Sequence, residues 1–109
     1  MATLRAGDVV TVDFAGANAT KRRPMVVLSG PQYHAERPDV IVSVLTSNLA
    51  TATSQFDCRL NDWAQAGLRL PSAFRCYFGM ATQKDVRRIG RLTDADWQLV
   101  CDCVERARG

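Results

Sequence analysis

Histidine, lysine and glutamate are almost missing from this chain: His34 is the sole histidine, Lys21 and Lys84 the sole lysines, Glu36 and Glu105 the sole glutamates. One histidine excludes a histidine-rich metal centre and any mechanism built on two imidazoles. Cys58, Cys76, Cys101 and Cys103 contain no C-x-x-C pair, and their spacing departs from that of zinc knuckles, so neither a metal site nor a cofactor is expected. There is no glycine-rich phosphate loop, no H-E-x-x-H and no nucleophile elbow. Long apolar runs are absent too. Asp8 and Asp13 interrupt the hydrophobic residues around them, so neither a leader peptide nor a membrane span is expected. The thiols then read as reduced, small hydrophobes in a cytoplasmic protein.

What remains is the composition of an ordinary globular protein. The chain has 109 residues, 47% hydrophobic and 23% charged, enough for a single domain spanning 1–109 with one core. The net charge is a modest +3, but of fourteen cations all except Lys21 and Lys84 are arginines. Guanidinium groups pair with phosphate or carboxylate bidentately and hold their charge at any physiological pH. A GC-rich genome also enriches arginine, so position has to carry the argument.

DVVTVDF, residues 8–14, alternates: Val10, Val12 and Phe14 share one face, Val9, Thr11 and Asp13 the other, as in a half-buried strand. AGANAT is a small-residue connection, closed by Arg23-Pro24, and MVVLS enters as a second strand that Gly30-Pro31 ends. A polar loop carrying Tyr33, His34 and Arg37 follows. DVIVSVLT, residues 39–46, is apolar at nearly every position and predicts a central strand buried on both faces, ending in the polar Thr46, Ser47 and Asn48. QFDCRL alternates with Phe56, Cys58 and Leu60 inward. NDWAQAGLRLPS is a turn-rich connector, and SAFRCYFGMATQ resumes strand character. At the C-terminus the period changes: Thr93 with Asp96 resembles a capping box, and Trp97, Val100, Cys101 and Val104 fall at helical spacing. The prediction is a mainly β (α+β) fold, a small barrel or sandwich carrying one C-terminal amphipathic helix.

The residues able to do chemistry are hydroxyls and guanidiniums. Lys21, Arg22 and Arg23 stand in a row at the mouth of a strand, Thr46 and Ser47 end another, and Arg75 lies within a third. Solubilising gatekeepers at a strand end are one explanation for the basic run; an anion site at the sheet rim is the other. A site of Arg23, Thr46 and Arg75 holds no good base, but it can neutralise phosphate and stabilise a phosphorane. That suits RNA, which brings its own nucleophile, the 2′-hydroxyl, and needs no metal. The plain alternatives are a strand-end hydroxyl bonded to backbone for Thr46 and a surface charge for Arg75.

GDVVTVDF, KRRPMVVLS, VLTS, GL…LPS and RRIGRL, in this order and spacing, resemble the MazF/PemK family of toxin endoribonucleases of type II toxin-antitoxin systems. The resemblance runs from Gly7-Asp8 to about Leu92. It implies a small SH3-like β-barrel that forms a homodimer and cleaves single-stranded RNA at short sequences without metal, leaving 2′,3′-cyclic phosphate and 5′-hydroxyl ends. It further implies a cognate antitoxin whose acidic tail lies in the RNA groove, and no membrane partner. The family's catalytic arginine falls on Arg23 and its strand-end threonine on Thr46. In one branch a further arginine precedes Cys-Asp; Arg75-Cys76 matches it, but Tyr77 stands at the aspartate position, which leaves the general base without an assignment. Lys21, Arg22, Ser47, Asn48 and Tyr77 are the expected substrate contacts, Tyr77 as a stacking platform or as a strand residue at the dimer interface. AGANATK is shorter than the corresponding loop of relatives. The rival functions are a non-nucleolytic binding toxin of the same fold, of the gyrase-poison kind, and an SH3-like interaction module.

Overall fold

The computed structural model describes residues 3–15 and 20–109, with the side chains of residues 14, 15, 20 and 21 outside that set. The Phe14 and Lys21 side chains and the tip of the AGANATK connection therefore lie outside the described residues. Six strands, β1 (Asp8–Ala15), β2 (Thr20–Val27), β3 (Asp39–Thr46), β4 (Asp57–Arg59), β5 (Ala73–Thr82) and β6 (Val86–Arg91), form one antiparallel sheet. Their order is β4-β5-β3-β2-β1-β6. Among the described residues no pairing joins β4 to β6, so the sheet is open rather than closed into a barrel. Two helices complete the fold, α1 (Pro31–Glu36) and α2 (Asp94–Arg108).

Apolar side chains cover both faces of the sheet. On one face Val9, Val26, Leu45 and Phe74 meet Leu60, Leu68, Leu92 and the α2 residues Val100 and Cys103. On the other, Val10, Val12, Val27, Val40 and Val42 form a second cluster with Met25 and Val86 against it. Because Val9 and Val10 are both fully buried, the first half of β1 is not the half-buried strand its alternation suggests. It lies between β2 and β6, where both faces are covered.

The short sequence motifs meet one another in space. The Asp8 carboxylate, buried, accepts from Arg5 N at 2.8 Å and from Arg91 Nη1 at 3.1 Å, with Arg88 Nε 3.3 Å away. Two guanidiniums and one backbone N–H thus converge on a single buried charge, and removing these partners would leave the carboxylate uncompensated. Gly67, at φ +88°, lies against Gly90 of β6: a Cβ added at Gly90 would overlap the Ala66 carbonyl, and one at Gly67 would overlap that of Ile89. Only two glycines allow the connector backbone to approach β6 this closely.

The start of α2 is set by Thr93, whose Oγ1 accepts from Asp96 N at 3.3 Å. The Asp96 carboxylate does not complete a capping box. Fully buried, it accepts from Asn61 N at 3.0 Å and Asp62 N at 2.8 Å, tying the helix to the connector. Along α2 the inward residues are Asp96, Val100 and Cys103, with Trp97 and Val104 packed beside them; Cys101, expected inward, is only partly covered, and Cys103 takes the core position. The segment after Gly30 is a helix instead of a polar loop, because Pro31 at its first position has the backbone angle a helix requires and gives up no needed N–H. His34 is half-buried there. Its ring lies 2.7 Å from Ser29 Oγ and 3.0 Å from Leu4 O, pinning the N-terminal segment to the β2–β3 crossover.

Candidate functional site

Strand register decides which of the predicted residues can act together. β2 pairs with β3 through Met25↔Val44, Val26↔Ser43 and Val27↔Val42. Leu28 N donates to Ile41 O at 2.8 Å, so even-numbered residues of β2 aim their backbone N–H at β3. Pro24 is the next residue of that parity due to donate after Val26, and it has no N–H. The bond it would give to Leu45 cannot form, and the ladder ends at Met25. Beyond the last pair, Arg23 continues the face of Met25 and Val27, and Thr46 continues the face of Val44 and Val42.

β5 brings the third group. Arg75 pairs with Val44 and Ala73 with Thr46, which sets Arg75 on the same face as Thr46, one diagonal step away. Between Ser43 and Val44 the register shifts, because β5 carries Cys76 and Tyr77 as extra residues. Ser43, buried, closes this bulge by donating its hydroxyl toward the carbonyls of Arg75 at 2.7 Å and Tyr77 at 3.1 Å. That explains the one polar residue within an otherwise apolar strand. Arg23 is exposed, whereas Arg75 is half-buried, with its Cζ 4.8 Å from the centre of the exposed Tyr77 ring. Arg75 is therefore not the simple surface charge of the plain alternative. Thr46 Oγ1 does accept from backbone, Asn48 N at 3.0 Å, and this leaves its O–H proton available for donation.

The remaining predicted contacts divide. Asn48, two residues after Thr46 and bonded to its Oγ1, caps a single 3-10 turn (Leu49–Thr51), and Tyr77 flanks Arg75. Arg22 and Ser47 alternate to the opposite face, where they line a groove of about 490 Å³ with Pro24, Leu45, Arg69 and Leu70. Arg22 Nε is also bonded to Asp13 at 3.0 Å across β1 and β2. A second hollow of about 630 Å³, beside α1, is lined by Leu4, His34, Arg37 and Lys84 and includes none of these residues.

One residue of this face was not predicted: Asp57. It pairs with Arg75 in the β4–β5 ladder, and its carboxylate Oδ2 lies 3.8 Å from Arg75 Nε. The thiols stand on the other face. Burial, with Cys103 and then Asp96 beside it, pushes the Cys58 thiol up to about 12 from 9.0, and Cys76 and Cys101 are raised by burial as well. All four thiols are free, and those three stay protonated near neutrality, as small hydrophobes do.

Residues 5–107 match the family model described as PemK-like, MazF-like toxin of type II toxin-antitoxin system. The chain belongs to the PemK/MazF toxin family. No curated protein matches it by sequence. Solved structures give the family's fold over the whole chain. A mycobacterial endoribonuclease in complex with its cognate antitoxin superposes with a TM-score of 0.80 at 15% identity, covering 97% of this chain and 95% of that one. MazF of a MazE-MazF complex from Deinococcus radiodurans gives 0.79 at 16%, covering 99% and 98%. The Mycobacterium tuberculosis toxin MazF-mt6 gives 0.74 at 18%, covering 93% and 95%. At 15–18% identity these superpositions show a shared fold, and the open sheet with α2 on one face is its form in this chain.

Proposed function

We propose that this PemK/MazF toxin is a metal-independent endoribonuclease that cuts single-stranded RNA at short sequences. One observation carries the proposal: Arg23, Thr46 and Arg75, from three strands, share one face of the sheet around the point where Pro24 ends the β2–β3 ladder. Two guanidiniums and a hydroxyl form a site for one phosphodiester anion.

In the proposed reaction the RNA 2′-oxygen bonds to phosphorus and the P–O5′ bond breaks. The 2′ proton passes to solvent water as the attack proceeds, and a proton is delivered to the departing 5′-oxygen. The products are a 2′,3′-cyclic phosphate and a 5′-hydroxyl. Arg23, exposed at the strand end, neutralises the phosphate's charge and protonates the leaving oxygen, regaining its proton from water. Thr46 donates a hydrogen bond to the phosphorane, and Arg75 adds positive charge from the strand behind. Asn48 and Tyr77 hold the nucleotides beside the cut, Tyr77 by stacking. Lys21, Arg22 and Ser47 track the flanking backbone over the sheet rim.

The chain acts as one toxin domain, 1–109, of SH3-like type, in the cytoplasm and with a cognate antitoxin. Exposed Phe78 and Met80 on β5, beyond the stretch that β4 covers, support a homodimer through that edge. Among the described residues no helix is long and apolar enough to cross a membrane.

The test is incubation of the purified chain with long single-stranded RNA in excess EDTA, followed by mapping of 5′ ends and chemical assay of the 3′ ends. Discrete cuts ending in cyclic phosphate are expected. RNA that stays intact would leave a binding toxin as the better description.

A further inference from the structure

Asp57 lies on β4, the short edge strand, and belongs to none of the motifs that link this chain to its family. Its side chain is 3% exposed. Oδ2 accepts from Ser54 N at 3.1 Å and lies 3.8 Å from Nε of Arg75, its register partner. Arg75 Nε is itself buried and, among the described residues, has no hydrogen-bond partner. At the other end of the guanidinium, Nη2 lies 3.4 Å from the Tyr77 hydroxyl.

These contacts divide the guanidinium into two edges. The Nε edge faces a carboxylate inside the protein; the Nη edge faces the Tyr77 ring and the surface. A separation of 3.8 Å is an ion pair and not yet a hydrogen bond. A buried N–H left this way keeps its desolvation cost without a compensating bond, which a small rotation of the guanidinium toward Asp57 would supply. Contacts of this kind in unliganded sites commonly tighten when the substrate arrives. Buried as it is, Asp57 has no path to a 2′-hydroxyl, so it can serve the reaction only through Arg75.

We propose that Asp57 is a positioning residue: by taking the Nε side of Arg75 it turns the two Nη groups outward, toward the phosphate held by Arg23 and Thr46. The proposal rests on the nuclease reading above. It also differs from a purely structural role, in which Asp57 would only close the Ser54–Asp57 turn.

The experiment compares wild type, Asp57→Asn, Arg75→Ala and the double variant in RNA cleavage, with kcat and KM measured separately. Asparagine keeps the shape and an acceptor for Ser54 N. The expected result is a fall in kcat of about tenfold for Asp57→Asn with KM little changed, and no further fall when the same change is made in Arg75→Ala. Equal losses in both backgrounds, or an Asp57→Asn enzyme as fast as wild type, would overturn the proposal. So would a fully active Arg75→Ala, which would leave Arg23 and the nuclease reading intact; a wild type that cuts no RNA would instead end that reading itself. Should Asp57→Asn fail to fold, nitrogen-detected NMR of the wild type still decides. The Arg75 Nε–H is expected to exchange with water at least about tenfold more slowly than that of exposed Arg23, and equal rates would overturn the pairing.

Discussion

Arg23 and Thr46 stand on the same face of neighbouring antiparallel strands, each two residues past Met25 and Val44, the last pair their ladder makes. The gap between them comes from the absent N–H of Pro24. Two side chains far apart in sequence are thereby held near one point while their backbones are kept from zipping together.

Replacing Arg23 by alanine tests the chemistry without disturbing the core, because the side chain is exposed. Cleavage is expected to fall by about 10²–10³-fold, the range for losing one charge-stabilising donor. The urea midpoint should change by no more than the equivalent of about 0.5 kcal/mol. RNA cleavage kinetics and urea denaturation on the same preparation check both.

Thr46 makes a backbone contact and, in the proposed mechanism, a catalytic one, and two substitutions test the hydroxyl that makes both. Serine keeps the hydroxyl that accepts from Asn48 N, so Thr46→Ser should retain activity within about threefold. Thr46→Val keeps the shape but has no proton to donate, and its kcat should fall at least about tenfold. Equal rates for the two variants would remove the hydroxyl from the reaction.

Much of this arrangement is legible in the sequence, and the failures have physical causes. Residues 39–46 read as a buried strand because β-branched residues occupy nearly every position, and Thr93 marks the start of α2 by its capping chemistry. The helix at Pro31 was missed because Gly30-Pro31 reads equally as a turn; Pro at the first helical position was the available signal. Arg22 and Ser47 were grouped with Arg23 and Thr46 as sequence neighbours, although the two-residue period of a strand sends neighbours to opposite faces. Asp57 was not readable as a partner of Arg75, because their pairing depends on a cross-strand register that no local pattern encodes.

Gly90→Ala should be severely destabilising, since the added methyl would overlap the Ala66 carbonyl, a backbone atom with no side-chain freedom to yield. A loss of about 3 kcal/mol or more is expected, at the upper end of ordinary single substitutions. Gly79→Ala, where a Cβ would meet no atom within 4 Å, is the control and should stay close to wild type. Urea denaturation of the pair checks the contrast.

Cys58 gives a pH-dependent term of known sign. Its thiol is raised in the folded state from 9.0 to about 12, chiefly by burial, so between those values the native chain holds a proton that the unfolded chain releases. The stability this contributes is fully present below pH 9 and is lost as pH rises toward 12. Urea midpoints measured from pH 7 to 11 should therefore fall more steeply for wild type than for Cys58→Val, in which this thiol cannot ionise. Parallel slopes would show that Cys58 does not ionise on unfolding in this range.

The hydroxyl of Ser43, which closes the β5 bulge behind Arg75, is neutral and buried. Added salt at 0.1 M screens interactions between exposed charges beyond about 10 Å but barely touches such a bond. Raising ionic strength would weaken the pull of exposed Arg23 on an anion while the main chain beneath Arg75 kept its place. The two guanidiniums of one face therefore differ in footing: one meets bulk electrolyte, the other stands on backbone that electrolyte does not reach.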